Sequence, residues 1–185
     1  MESKSRVFNP VQTTPFGIKI KIKAHLWQFI NNTIFRLLPL QFRGYRIALL
    51  RLFGANLSDS VTISRLANIE HPWNLTMGHL SSLGDGSWTY CLAPIVIGEK
   101  CCIGKDVYLL TGSHDVDDSK FSMVTRPIVI NDGCWVATGA YILPGVELGY
   151  FCVIAARAVV VKSTLDYSIV GGNPAKFLRQ REFKQ

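Results

Sequence analysis

An aliphatic residue returns at every sixth position over much of this chain, and no other feature limits the fold as strongly. Ile130, Val136, Ile142, Leu148, Ile154 and Val160 stand six apart without a break. A second series two residues earlier keeps the same step through Ile128, Cys134, Ala140, Val146, Cys152 and Ala158. An α-helix, with its 3.6-residue turn, drifts off that phase within two repeats, and a lone strand alternates with period two. Short strands joined by corners keep it, so the repeat predicts a mainly β protein built as a parallel β-helix.

The repeat begins weakly at Leu57, Ile63, Ile69 and Leu75, preceded two places earlier by Ala55, Val61, Ala67 and Trp73. Between Met77 and Ala93 it fades, and Gly78, Gly84 and Gly86 there predict bends or an irregular coil. It restarts at Ile97, Ile103 and Leu109. Leu109 and Ile130 are then 21 residues apart, not a multiple of six, so a segment of about 111–126 leaves the coil and returns. That segment reads TGSHDVDDSKFSMVTR and is polar. A loop bulging from a rigid scaffold is a preferred place for chemistry, which makes His114 a candidate.

Three regions follow: a basic arm over 1–54, a β-helix over 55–170 and a C-terminal tail over 171–185. In the arm, Ile18, Ile20 and Ile22 alternate with Lys19, Lys21 and Lys23, a pattern suited to a short strand or an exposed basic segment. Helical spacing takes over at Leu26, Ile30, Ile34 and Leu37, with Trp27 and Leu38 beside them, and Pro39 ends that helix. A second helix is expected from Phe42 to Phe53, with Phe42, Tyr45, Leu49 and Leu52 on one face, Arg43, Arg46 and Arg51 elsewhere, and Gly54 as the stop. Both helices suit a cap on the open end of the solenoid; an amphipathic contact with a membrane surface is the other reading.

Charge separates the same regions. The chain carries a formal +7, yet residues 1–54 hold nine Lys or Arg against one acid, and the rest is close to neutral. A basic, aromatic-bearing arm on a neutral body points to an anionic membrane surface or polyanion more than to sequence-specific nucleic-acid reading. Five cysteines include no CxxC pair, and Cys101, Cys134 and Cys152 fall on repeat positions, so they read as buried thiols of a reducing compartment. No signal peptide or spanning segment is expected, which predicts a cytoplasmic protein, peripheral at most to the inner membrane face. Four histidines with no ligand spacing argue against a zinc enzyme of the γ-carbonic anhydrase type, and no metal is expected.

The segments LRLFGA (50–55), HPWNL (71–75), LTGSHD (110–115) and GNPAK (172–176), set in the hexapeptide repeat, resemble the hexapeptide-repeat acyltransferases. Among these the chain is most similar to the colanic acid and exopolysaccharide biosynthesis O-acetyltransferases, over roughly residues 25 to 181. The resemblance implies a left-handed β-helix, a homotrimer with sites between subunits, and acetyl-CoA as donor to a hydroxyl of a sugar or glycan. It implies His114 as the general base of a direct transfer, a role that suits a neutral imidazole. Asp115 orients the ring or the acceptor, or is one of three surface acids with Asp117 and Asp118.

By the same resemblance Trp135 lies beside the reacting groups, and Tyr90 and Cys91 lie near the acceptor, Cys91 standing where relatives often carry Asn. A backbone amide at Thr138 or Gly139 is implied as donor to the thioester oxygen. Coenzyme A is expected along a groove flanked by Asn173, Pro174, Ala175 and Lys176, with Lys162, Lys176 or Arg179 near phosphate. Ala155 and Arg157 replace glycines common in relatives, and Arg157 either clashes with the donor path or contacts its phosphate. The competing reading is a non-catalytic β-helix that binds or scaffolds, which leaves His114 and the GNPAK exit without purpose.

Overall fold

The computed structural model describes residues 16–37 and 40–184. Leu38 and Pro39, expected to end the first helix, lie outside the described residues.

Three parallel sheets form the sides of a prism. Sheet I stacks Asn56–Leu57, Leu75–Met77, Ile95–Ile97, Ile128–Ile130 and Glu147–Leu148. Sheet II stacks Thr62–Ile63, Ser82–Leu83, Cys102–Ile103, Trp135–Val136, Val153–Ile154 and Ser168–Gly171, with Lys176–Gln180 added antiparallel at its end. Sheet III stacks Asn68–Ile69, Trp88–Tyr90, Tyr108–Leu110, Tyr141–Ile142 and Val159–Val160. As far as Val160 the chain visits the sides in the order I, II, III and begins again, so residues of successive coils stand in register. Backbone bonds such as Gly104 N–H to Val136 O at 2.8 Å tie each coil to the next.

The sixfold residues point inward. Ile130, Val136, Ile142, Leu148, Ile154 and Val160 are all buried, as are Cys101, Cys134 and Cys152, which occupy one corner of successive coils. Each fully buried aliphatic side chain contributes about 1.5–3 kcal/mol of transfer free energy, so the stacked columns supply most of the cohesion.

The stretch expected to be irregular, Met77 to Ala93, is a regular coil. Its inward places are taken by Ser81, Ser87 and Thr89 beside Leu83, which disguises the repeat in the sequence. Their hydroxyls are satisfied by backbone carbonyls, Ser81 by Gly98 O of the next coil at 2.6 Å and Ser87 by Gly84 O of its own turn at 2.8 Å, so the polar substitutions cost little. The phase slips for a second reason. Ile69 is followed by its inward counterpart Met77, and Thr89 by Ile97, at eight residues rather than six. Both extra pairs fall at the corner between sheets III and I, and the 111–126 segment leaves from the same corner one coil later. Three successive coils are thus elaborated at a single edge.

The arm is helical from Ile18, where the alternation over 18–23 suited a short strand or an exposed basic segment. Helix α1 runs Ile18–Asn32, α2 Ile34–Leu37 and α3 Arg43–Leu52. The alternating Ile and Lys residues form the first turns of α1, because that helix has two apolar faces and no plain amphipathic period. The buried faces also differ from those expected. Trp27, Asn31 and Phe35 are buried while Leu26, Ile34 and Leu37 are exposed; on α3, Arg46, Ile47 and Leu50 are buried while Phe42, Tyr45 and Leu52 are exposed. The inner faces lie over the first coil. Trp27 packs on Phe35 and Phe53, its indole N–H donates to Ile69 O, and Asn31 donates to Asn68 Oδ1 at 3.1 Å. Ile69 O, on a strand with no preceding coil, thereby gains a hydrogen-bond donor.

Candidate active site

The III–I corner gathers the polar chemistry. The 111–126 segment is a hairpin in which Gly112–His114 pairs antiparallel with Met123–Thr125, His114 opposite Met123. Its stem is closed by Arg126 N–H on Thr111 O at 2.9 Å. Thr111 is buried, donating to Tyr90 O at 2.6 Å and accepting from Ala93 N–H at 2.9 Å, which locks the hairpin to the preceding coil. Gly112 leaves room for that packing, since a Cβ would lie 2.7 Å from Leu92 Cδ1 and 2.9 Å from Tyr90 Cε1 and these side chains would have to shift.

His114 is exposed, but its ring is fixed. It stacks on Phe121 at 4.3 Å between centroids and 4° between planes, and Nδ1 lies 2.8 Å from Phe121 O. A carbonyl oxygen only accepts, so Nδ1 carries the proton and the lone pair resides on Nε2. The hairpin therefore fixes the ring so that Nε2 is the nitrogen left for a proton acceptor's role. Asp115 does not provide this orientation: its Oδ1 accepts from Asp117 N–H at 3.0 Å, and Asp118 accepts from Lys120 N–H and Ser122 Oγ. Both carboxylates brace the hairpin tip.

Beside the hairpin lies a cavity of about 300 Å³, bounded by Glu70, His71, Tyr90, Leu92 and Met123 from the corner and by Phe16, Ile20, Lys21, Ala24 and His25 from the arm. Paired residues of a hairpin share a face, so the His114 side chain stands on the face whose Met123 lines the cavity. Burial raises the Glu70 carboxyl above the usual range, partly offset by Trp88 Nε1–H donating to it at 2.9 Å. Burial lowers His71, whose buried Nδ1 has no hydrogen-bond partner among the described residues. Tyr90 is raised by burial and then by the charge of Glu70.

Tyr90 thus reaches the expected neighbourhood, and Cys91 does not. Its side chain is 0% exposed, its thiol donates to Thr89 O at 3.2 Å, and burial pushes it up to about 12. No acceptor atom can touch it, and Leu92 holds the adjoining place in the wall. Sequence reasoning missed Glu70, His71, His25, Lys21 and Met123. The HPWN segment was a visible signal for the first two; the arm residues had none, because their placement depends on α1.

The other expected residues lie elsewhere on the prism. Thr138, Gly139, Ala155 and Arg157 occupy the II–III corner of consecutive coils, with Arg157 N–H on Thr138 O at 2.9 Å. Asn173 and Pro174 form the turn that continues this edge, closed by Val159 N–H on Gly172 O and Ala175 N–H on Val159 O. Gly139 N–H is taken by Lys105 O at 2.9 Å, whereas Thr138 N–H has no acceptor among the described residues. Arg157 holds a φ of +57°, a conformation glycine adopts freely, and its side chain is exposed. Lys176 begins the strand leaving this edge, and Arg179 lies further along it opposite Ile169. Lys162 is separate, past the last strand of sheet III beside a cavity of about 220 Å³ at the solenoid end. Trp135, 49% exposed, stands on sheet II, the side of the prism opposite the His114 corner.

No protein-family model matches the chain. WcaF of Escherichia coli strain K12, named for acetyltransfer in colanic acid biosynthesis, is 40% identical over 160 residues, 86% of this chain and 88% of WcaF. A hexapeptide-repeat acetyltransferase of Vibrio cholerae, solved with acetyl coenzyme A, superposes with a TM-score of 0.81 at 25% identity, over 99% of this chain and all of that one. This chain belongs to the hexapeptide-repeat acetyltransferases. A galactoside acetyltransferase solved with coenzyme A shares the fold, with a TM-score of 0.83 over 91% of this chain and 86% of its own. Two parts suited to acetyl transfer meet at the III–I corner, a fixed imidazole and a cavity with hydrogen-bonding groups, while the open Thr138 N–H lies at the II–III corner. Among the described residues no group of His, Cys, Asp and Glu is arranged to hold a metal ion.

Proposed function

We propose that this acetyltransferase moves an acetyl group from acetyl-CoA directly to a sugar hydroxyl in the assembly of a surface polysaccharide. The observation that carries the reading is the His114 tautomer, fixed by Phe121 O on Nδ1 with Nε2 left basic. The acceptor sugar lies in the cavity beside Glu70, His71, Tyr90 and Met123. His114 Nε2 takes the hydroxyl proton as the oxygen attacks the thioester carbonyl. Thr138 N–H stabilises the resulting oxyanion. Collapse expels the coenzyme A thiolate, which recovers the proton from the imidazolium. Relatives bearing sugar-directed names and coenzyme A complexes support this assignment of donor and acceptor.

The Thr138 edge and Trp135 are not on the His114 corner, so one chain does not assemble the site. A homotrimer, with the His114 corner of one subunit facing the sheet II side of the next, brings the two halves together. The donor then lies along the II–III edge, with Arg157 and Lys176 near its phosphates.

Thiol release from acetyl-CoA in the presence of a panel of free and nucleotide-linked sugars tests the reading. Acceptor-dependent release is expected, with His114→Ala slowing turnover by about 10²–10⁴-fold and leaving acetyl-CoA affinity, measured by calorimetry, unchanged. Full activity in His114→Ala, or release indifferent to every sugar, would contradict it.

A further inference from the structure

Helix α1 carries a second apolar face that nothing in the described chain covers. Ile18, Ile22, Leu26 and Phe29 are 71%, 64%, 54% and 65% exposed. Each residue of an α-helix advances about 100° around the axis, which places these four in one stripe. Trp27 and Asn31, bound to the first coil, lie on the opposite side. Lys19 and Lys23 flank the stripe on one edge and Lys21 on the other. Between Ile18 and Gly54 the sequence holds seven Lys or Arg and no acid.

We propose that this stripe docks on an anionic membrane surface. An exposed apolar row supplies insertion into the headgroup boundary, and lysines on both sides supply attraction to anionic lipid; the two signals together sustain reversible binding. Charge decides against a second copy of the same face, because pairing two such helices sets lysine against lysine in a segment with no carboxylate to answer them. The inference rests on α1 alone and stands apart from the transfer chemistry. It has a geometric consequence for the site. Ile20, Lys21, Ala24 and His25 of the same helix line the cavity beside His114, so a docked surface lies about one helix diameter, roughly 10 Å, from the acceptor cavity.

Flotation of the full chain with phosphatidylcholine vesicles, with and without about 30% phosphatidylglycerol, tests the proposal. The chain is expected to float with the anionic vesicles only, and to be released by salt. Ile22→Glu and Phe29→Glu each lower the partition coefficient by at least roughly tenfold. Lys19→Gln and Lys23→Gln each lower it by roughly fivefold. All four variants keep the acetyl-CoA affinity and oligomer mass of the parent, which separates this outcome from misfolding. Three results overturn the proposal: no partition of the parent chain, partition unchanged in the stripe variants, or a smaller oligomer in those variants, which identifies the stripe as a contact between copies.

Discussion

At the scale of single residues, the site is made by hydrogen bonds to main-chain atoms. Phe121 supplies both a ring for His114 to stack on and a carbonyl to fix its tautomer. A backbone partner leaves no signature in the sequence, so His114 was legible as a candidate while its orienting group was not. The adjacent Asp115 is the obvious choice from sequence, yet it closes a turn on Asp117 N–H. Glu70 makes a testable case of the electrostatics. Burial raises its carboxyl in the folded protein, so ionisation costs stability as pH climbs from the ordinary carboxylate range through the raised value. Glu70→Gln removes that cost and keeps an acceptor for Trp88 N–H. Thermal unfolding should therefore show a higher Tm for the variant near neutrality and no difference at about pH 3, below the ordinary carboxylate range. An equal shift at both pH values would show that packing, not charge, is responsible.

Elements explain what the hexapeptide pattern revealed and what it hid. The strands were readable because each inward position takes an aliphatic residue, and the columns through Ile130 or Val136 are buried as the spacing requires. The second coil was misread because Ser81, Ser87 and Thr89 take inward places and satisfy their hydroxyls on backbone carbonyls of their own or adjacent coils, and because two extra residues enter at one corner. Those insertions are the more informative feature: with the 111–126 hairpin they build the cavity wall. Helix α1 was misread for the opposite reason, having apolar residues on two faces at once. Its inner face hinges on Trp27. Trp27→Ala removes a fully buried indole and leaves Ile69 O without its donor, so a loss of about 3–5 kcal/mol is expected. Urea unfolding followed by circular dichroism measures it; a loss within about 0.5 kcal/mol would mean that α1 is not part of the cooperative unit.

The whole molecule is a prism with its chemically distinct features on different edges. The III–I corner holds the imidazole and the cavity, the II–III corner holds the open Thr138 N–H and Arg157, and α1 overlies the first coil with a lysine-flanked stripe outward. Topology forbids the first two from meeting within one chain, since Trp135 and the rest of sheet II face away from the His114 corner. None of this was available from the spacing of motifs along the sequence, because a 20-residue separation is one coil in the early part of the prism and places residues side by side, whereas a smaller one can place them on opposite sides.

Mixed oligomers test the proposed shared, His114-based site most directly. His114→Ala and Trp135→Ala chains, each weakly active alone, are unfolded together, refolded as one population and assayed for acceptor-dependent thiol release. If each site takes His114 from one chain and Trp135 from its neighbour, random mixing leaves about one quarter of the sites intact, and activity rises to that fraction of the parent enzyme. Activity no greater than the mean of the two variants, in demonstrably mixed oligomers, would contradict the account.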